Sequence, residues 1–169
     1  MIAKALSLRL DLFFFGLFLL VGLIMRFTAN PQPSIVAFEL AGNLEKANSL
    51  IQQWGPEGQR LARRSLYWDF PFILAYSLGL ALLLFRAYNW SLHLYLPYLL
   101  IAAIAALPLL AGLLDVGENL CLLQLLNGKQ AEWLPLAARR LALIKFSFVG
   151  IAVLVVLAGK VAQQCVSRS

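Results

Sequence analysis

Long apolar runs separated by short polar stretches dominate this chain of 169 residues. A helix rises about 1.5 Å per residue, so about 20 apolar residues span the hydrocarbon core of a bilayer. The runs predict four transmembrane helices, at about 8–26, 66–86, 94–126 and 136–161. Because the later runs are joined by short connections, we expect an all-α membrane protein, an antiparallel four-transmembrane-helix bundle in a single domain over 1–169.

The first run has charged flanks, with Lys4 and Arg9 before it and Arg26 at its end. A charged segment followed by an apolar core is also typical of a signal peptide. No small-x-small cleavage site follows the run, so we expect it to remain as the first transmembrane helix.

Residues 27–56 form the one substantial polar stretch between apolar runs. Asn43 is a good N-cap, and Gly55 followed by Pro56 marks the end of one helix and the start of the next. The pattern predicts an interfacial amphipathic helix at about 43–54, or a lid, with Glu39 reaching into the mouth of a cavity. The apolar residues at helical spacing are Leu44, Ala47, Leu50, Ile51 and Trp54.

Polar side chains interrupt the third apolar run. At about 100° per residue, Asp115, Glu118 and Asn119 share one face of the predicted helix, and Ala111 and Gly112 continue that face. A carboxylate at bilayer depth costs several kcal/mol unless it is paired, protonated or facing water. This face must therefore point toward protein or toward a cavity.

Counting along the helix axes at about 1.5 Å per residue puts Lys145 at a depth close to that of Asp115 and Glu118. The sequence therefore predicts an acidic pocket in one half of the bilayer. Asp115 and Glu118 are its candidate acid–base pair, Asn119 is expected to orient them, and Lys145 is the counter-charge. The candidate ligand-binding residues are Asp69, Asp115, Glu118, Asn119, Lys145, Glu39, Arg64 and Tyr76.

Composition agrees with a membrane location, because 62% of residues are apolar, 13% are charged and the mean hydropathy is +0.80. Soluble domains usually carry about a quarter charged residues. The formal charge is +6, but the basic residues lie at the ends of apolar runs, where they meet lipid headgroups, so nucleic-acid binding is not expected. With one histidine and two separated cysteines, Cys121 and Cys165, the chain predicts no metal centre and no cofactor.

The number of acidic and basic residues at this depth leaves three classes of function open. Three acids, at 69, 115 and 118, face one deep base, so the excess must be protonated, meet Arg63 or Arg64, or serve a ligand. The favoured hypothesis is binding of a lipid-like or small amphiphilic ligand, with acid–base chemistry on an isoprenoid or sterol-like molecule as its enzymatic version. The alternatives are an accessory subunit whose polar cluster is a structural plug, and a proton- or cation-coupled transporter. Membrane lipids are the expected partners, together with a homo-oligomer or a larger membrane complex.

Several short motifs resemble those of a group of small bacterial four-helix integral membrane proteins. They are FELAG at 38–42, Trp54-Gly55, the segment 64–66, WDF at 68–70, Tyr76 and the AG..D..EN pattern at 111–119. This resemblance spans most of the chain and implies a multi-pass protein of the bacterial inner membrane, but it brings no activity. The acid-lined core is also similar in architecture to the sterol-isomerase and sigma-2-type fold. An even number of spans puts both termini on the same side of the membrane. The distribution of basic residues does not decide whether that side is inside or outside the cell.

Overall fold

The computed structural model describes residues 34–90 and 97–166, together with Leu23, which is helical. Over these ranges the chain forms helices joined by short connections, with no strand, so the all-α prediction is confirmed for this part. The predicted helix at about 8–26 lies outside the described residues apart from Leu23. The helices are α1 (Ile35–Glu39), α2 (Leu44–Trp90), α3 (Tyr98–Leu126) and α4 (Trp133–Val166).

Helix α2 bends at Gly55, where φ is 59° and ψ is −173°. Glycine adopts this positive φ without a Cβ clash, and Pro56 then suits the first position of the following helical part. At the start of α2, Asn43 Oδ1 accepts a hydrogen bond of 2.8 Å from the Lys46 amide. The predicted amphipathic helix is therefore the first part of α2, and the second part continues past the predicted end at Arg86 to Trp90.

We call α1 and the part of α2 before Gly55 the cap. Phe38 of α1 and Trp54 of α2 pack edge to face with ring centroids 5.1 Å apart, and both are buried. The side-chain amides of Asn48 and Gln130 exchange two hydrogen bonds, of 2.8 and 3.5 Å, and so join the cap to the α3–α4 connection. The cap thus covers the end of the bundle where α3 stops and α4 begins.

Helices α2, α3 and α4 are each long and apolar enough to cross a membrane. The 29 residues of α3 measure about 43 Å, more than the roughly 30 Å of the hydrocarbon core. Large apolar side chains point outward on each helix, as Leu74 of α2, Leu113 of α3 and Leu154 of α4 illustrate with 57%, 70% and 67% exposure. In water such surfaces would be costly, whereas lipid solvates them.

The core of the bundle changes character along these helices. Beside the cap, apolar residues such as Leu66, Leu122 and Leu134 are buried, and the buried polar residues of α3 and α4 follow. Toward the other end the described core contains only apolar side chains. We call that region the apolar half, and it comprises Leu84, Ala87, Ile101, Ala105, Ala152 and Val156.

Candidate functional site

Polar side chains from all four helices meet between the cap and the apolar half. Lys145 of α4 lies at their centre, with Nζ 2.5 Å from Asp115 Oδ1 and 2.7 Å from Glu118 Oε2 of α3. The exposed fractions of these three residues are only 6%, 5% and 0%. A buried ammonium group needs close counter-charges, which the two carboxylates supply. We call this cluster the acidic site, and its residues are Glu39, Asp69, Tyr76, Asp115, Glu118, Asn119 and Lys145.

The helical period of α3 explains why its three polar residues enter the same site. Asp115, Glu118 and Asn119 are three and four residues apart, so they lie on one face. One turn earlier, Gly112 faces α2, and a Cβ added there would lie 3.1 Å from Ser77 Cβ and 3.3 Å from Ile73 Cγ2. The missing side chain therefore allows α2 and α3 to approach closely beside the acids.

Helix α2 contributes a donor and an acceptor to the site. The Tyr76 hydroxyl donates to Asp115 Oδ2 at 2.9 Å, and Asn119 Nδ2 donates to Asp69 Oδ2 at 2.7 Å. Asn119 thus holds Asp69 rather than orienting Asp115 and Glu118, which corrects the expectation from the sequence. The physical reason is that Asn119 is one turn nearer the cap than Asp115 and lies level with Asp69.

The cap contributes Glu39, whose carboxyl group lies close to Lys145, Asp115 and Glu118. Burial raises the pKa of Glu39; Lys145 opposes this shift, and the negative charge of Asp115 adds to it. Lys145, Asp115 and Glu118 therefore act on a carboxyl group of the cap as well as on one another.

Glu118 has acceptor capacity that its neighbours do not use. Lys145 Nζ lies 2.7 Å from Oε2, whereas Oε1 accepts no hydrogen bond from the described residues. A buried acceptor without a donor is costly, so this carboxyl group favours a proton or a donor from a ligand. The acidic site also contains four carboxyl groups and a single ammonium group, which increases the need for positive charge or protons.

Two arginines that the sequence associates with the acids lie elsewhere. Arg64 is exposed, and at about 100° per residue it lies about 140° around α2 from Asp69, which explains why it does not enter the site. Arg63 donates to the Leu126 carbonyl at 3.1 Å and to Asn127 Oδ1, so it caps the C-terminal end of α3. Both arginines line a surface groove. We call this the arginine groove, and its residues are Arg60, Arg63, Arg64, Tyr67, Trp68 and Pro71.

One buried polar residue at the site was not among the sequence-based candidates. Ser77 is only 6% exposed and packs against Gly112. Ser77 follows Asp69 by eight residues, with Ile73 midway between them, so the three residues lie on one face of the helix. This spacing is the signal in the sequence that could have identified Ser77.

Within the described ranges, no three histidine, cysteine or acidic side chains are arranged to hold a metal ion. Comparisons with protein-family models, with curated proteins and with solved structures found no match to this chain. The resemblance to small bacterial four-helix membrane proteins therefore stays a prediction. Function has to be argued from the geometry of the acidic site.

Proposed function

We propose that this chain is an integral membrane protein that binds a lipid-like or small amphiphilic ligand at the acidic site. Three long apolar helices with apolar outward surfaces support the membrane location, and the predicted helix at about 8–26 would be the fourth span. The order of contacts between α2 and α3 supports the antiparallel arrangement. Arg63, Asp69 and Tyr76 of α2 contact Leu126, Asn119 and Asp115 of α3, in that order.

The observation that carries the proposal is that Oε1 of fully buried Glu118 has no hydrogen-bond donor among the described residues. A protonated amine or a hydroxyl group of the ligand would donate to this carboxyl group. An amine would also balance the excess of carboxyl groups over the single ammonium of Lys145. The rest of the ligand would be apolar, since it has to reach a site enclosed by apolar helices.

Acid–base chemistry on the ligand would use Glu118, with Glu39 of the cap beside it. Asp115 already accepts from Tyr76 and pairs with Lys145, whereas Oε1 of Glu118 has no donor among the described residues. Glu118 is therefore the better placed of the two candidate acids to exchange a proton with a ligand.

The hydrogen bonds at Asp69 and Asp115 also support a second hypothesis, a structural plug in an accessory subunit. Lys145, Tyr76 and Asn119 each have a partner inside the acidic site, so this part of the cluster can hold the helices together without a ligand. A proton- or cation-coupled transporter is less well supported. Beyond Ser77 and Asp115 the described core is apolar and offers no polar route to the opposite end.

The test is binding of a long-chain fluorescent amine, and of the matching alcohol, to the full chain purified in detergent. We expect Glu118→Gln to weaken amine binding by about tenfold or more, since a charge-assisted hydrogen bond is worth roughly 1.5–3 kcal/mol. Glu132→Gln is the matched control, because Glu132 is exposed and lies outside the site.

Gel filtration and far-UV circular dichroism report whether each variant is folded. Unchanged amine and alcohol binding by folded Glu118→Gln would contradict the proposal. Loss of the folded protein in Glu118→Gln alone would instead support the structural plug.

A further inference from the structure

The arginine groove is the clearest feature outside the acidic site. Its residues recur at three- and four-residue spacing, so they lie along one face of α2, and the groove has a volume of about 450 Å³. Its chemistry is opposite to that of the acidic site, because guanidinium groups line it instead of carboxyl groups.

The charges of the groove are only partly balanced. Arg60 pairs with Glu57 at 2.6 Å. Arg63 donates to a backbone carbonyl and to an amide oxygen, which are neutral, so its positive charge remains. Arg64 has no hydrogen-bond or ion-pair partner within the part of the chain that the structure describes. The groove therefore presents two uncompensated guanidinium groups on adjacent positions of one helix.

Apolar surface continues the same face of α2 beyond the groove. Leu74 is three residues after Pro71 and is 57% exposed, and Phe85 farther along is 38% exposed. Tyr67 and Trp68 lie between the arginines and this apolar surface, and such aromatic residues are enriched at the level of lipid headgroups. The face thus changes from cationic through aromatic to apolar in the direction in which a phospholipid changes from headgroup to acyl chain.

We propose that the arginine groove binds the phosphate group of an anionic phospholipid, with an acyl chain lying along Leu74. Guanidinium groups match phosphate oxygens through paired N–H donors. Arg63 is held in place by the end of α3, and Arg64 supplies the second guanidinium group. The proposal rests on the membrane location given above, but it involves a different site and a ligand of opposite charge from those of the acidic site.

The experiment measures which lipids the full chain retains in native mass spectrometry. The delipidated protein is equilibrated with equal amounts of phosphatidylglycerol and phosphatidylcholine. We expect the wild type to prefer phosphatidylglycerol and Arg64→Gln to reduce that preference about three- to tenfold. Arg140→Gln is the matched control, because Arg140 is an exposed residue of α4 outside the groove and its loss changes the net charge equally.

Retention of the preference in Arg64→Gln would overturn the proposal, and so would an equal loss in Arg140→Gln, which would indicate a general effect of charge. Displacement of phosphatidylglycerol by inorganic phosphate would show a site for free phosphate and would also overturn it. Amine binding at the acidic site is measured in the same Arg64→Gln sample. If the wild type bound the amine normally but showed no lipid preference, the groove proposal alone would be rejected. If Glu118→Gln lost amine binding but kept the lipid preference, both sites would be supported.

Discussion

The acidic site and the apolar half are built by the same three long helices but have cores of opposite chemistry. In the apolar half, small and branched residues such as Ala105, Ala152 and Val156 fill the core. In the acidic site, Lys145 is held by Asp115 and Glu118, and the cap covers this end. Among the described residues, the buried polar groups are thus confined to the part of the bundle nearer the cap, as the binding site proposed above requires.

Mutations in the two regions should also lower the stability of the protein for different reasons. Packing in the apolar half loses stability in proportion to the volume removed, and neighbouring side chains can adjust. The acidic site depends on pairing, so removing one partner leaves another polar group buried without compensation. The three predictions below use this difference, beginning with the largest expected effect.

The largest effect is expected from Lys145→Ala. Without the ammonium group, Asp115 and Glu118 stay buried with no counter-charge, which should lower the free energy of unfolding by about 3–5 kcal/mol at neutral pH. The measurement is reversible unfolding in mixed micelles. Val156→Ala in the apolar half serves as the comparison, with an expected loss of about 1 kcal/mol from removed methyl groups. Equal losses in the two variants would contradict the distinction between the regions.

A smaller effect is expected from Gly112→Ala. The added Cβ would lie 3.1 Å from Ser77 Cβ and 3.3 Å from Ile73 Cγ2, so these side chains must shift by a few tenths of an ångström, which we expect to cost about 1–3 kcal/mol. Gly150→Ala is the control, because a Cβ there meets nothing within 4 Å and alanine favours a helix. Both variants are compared by thermal unfolding. If Gly112→Ala were as stable as Gly150→Ala, the close approach of the helices would not matter for the site.

The smallest effect is a pH dependence of the cap. The folded-state pKa of Glu39 lies above its ordinary value of 4.5, because burial and Asp115 outweigh Lys145, and Asp69 and Glu118 also face this group. The folded protein therefore holds more protons between pH 4.5 and the raised pKa. Docking of α1 should be strongest below pH 4.5 and weaken as the pH rises through that window.

Hydrogen exchange of the α1 amides, corrected for intrinsic rates, measures this dependence. Glu39→Gln should remove it, and the amides of the apolar half should not respond in either protein. A response of equal size in both regions would mean that the whole bundle, and not the cap, titrates.

The sequence predicts the long helices well because hydropathy and helical period act along a single chain. The same period assigns Asp115, Glu118 and Asn119 to one face, and counting rises along the axes puts Lys145 at their depth. Gly55 with Pro56 also marks the bend in α2, where the backbone has a positive φ. These features depend on local geometry and need no knowledge of neighbouring helices.

Depth alone does not decide which side chains meet, because it leaves the rotation of each helix about its axis undetermined. For this reason the sequence predicts Arg64 at the site, although its angular position on α2 differs from that of Asp69. For the same reason it predicts the wrong partner for Asn119, which bonds to Asp69. The predicted second span ends at Arg86, whereas helix α2 continues to Trp90. The difference arises because the prediction counts apolar residues, and a helix can extend beyond its apolar part.

The paired amides of Asn48 and Gln130 have a consequence for how the cap responds to pH. Amide groups do not titrate, so a change in protonation does not break these two hydrogen bonds, whereas the five residues of α1 carry the ionisable Glu39. The cap therefore has two parts. The first part of α2 is joined to the bundle by groups that do not titrate, whereas the short helix α1 carries a carboxyl group that does.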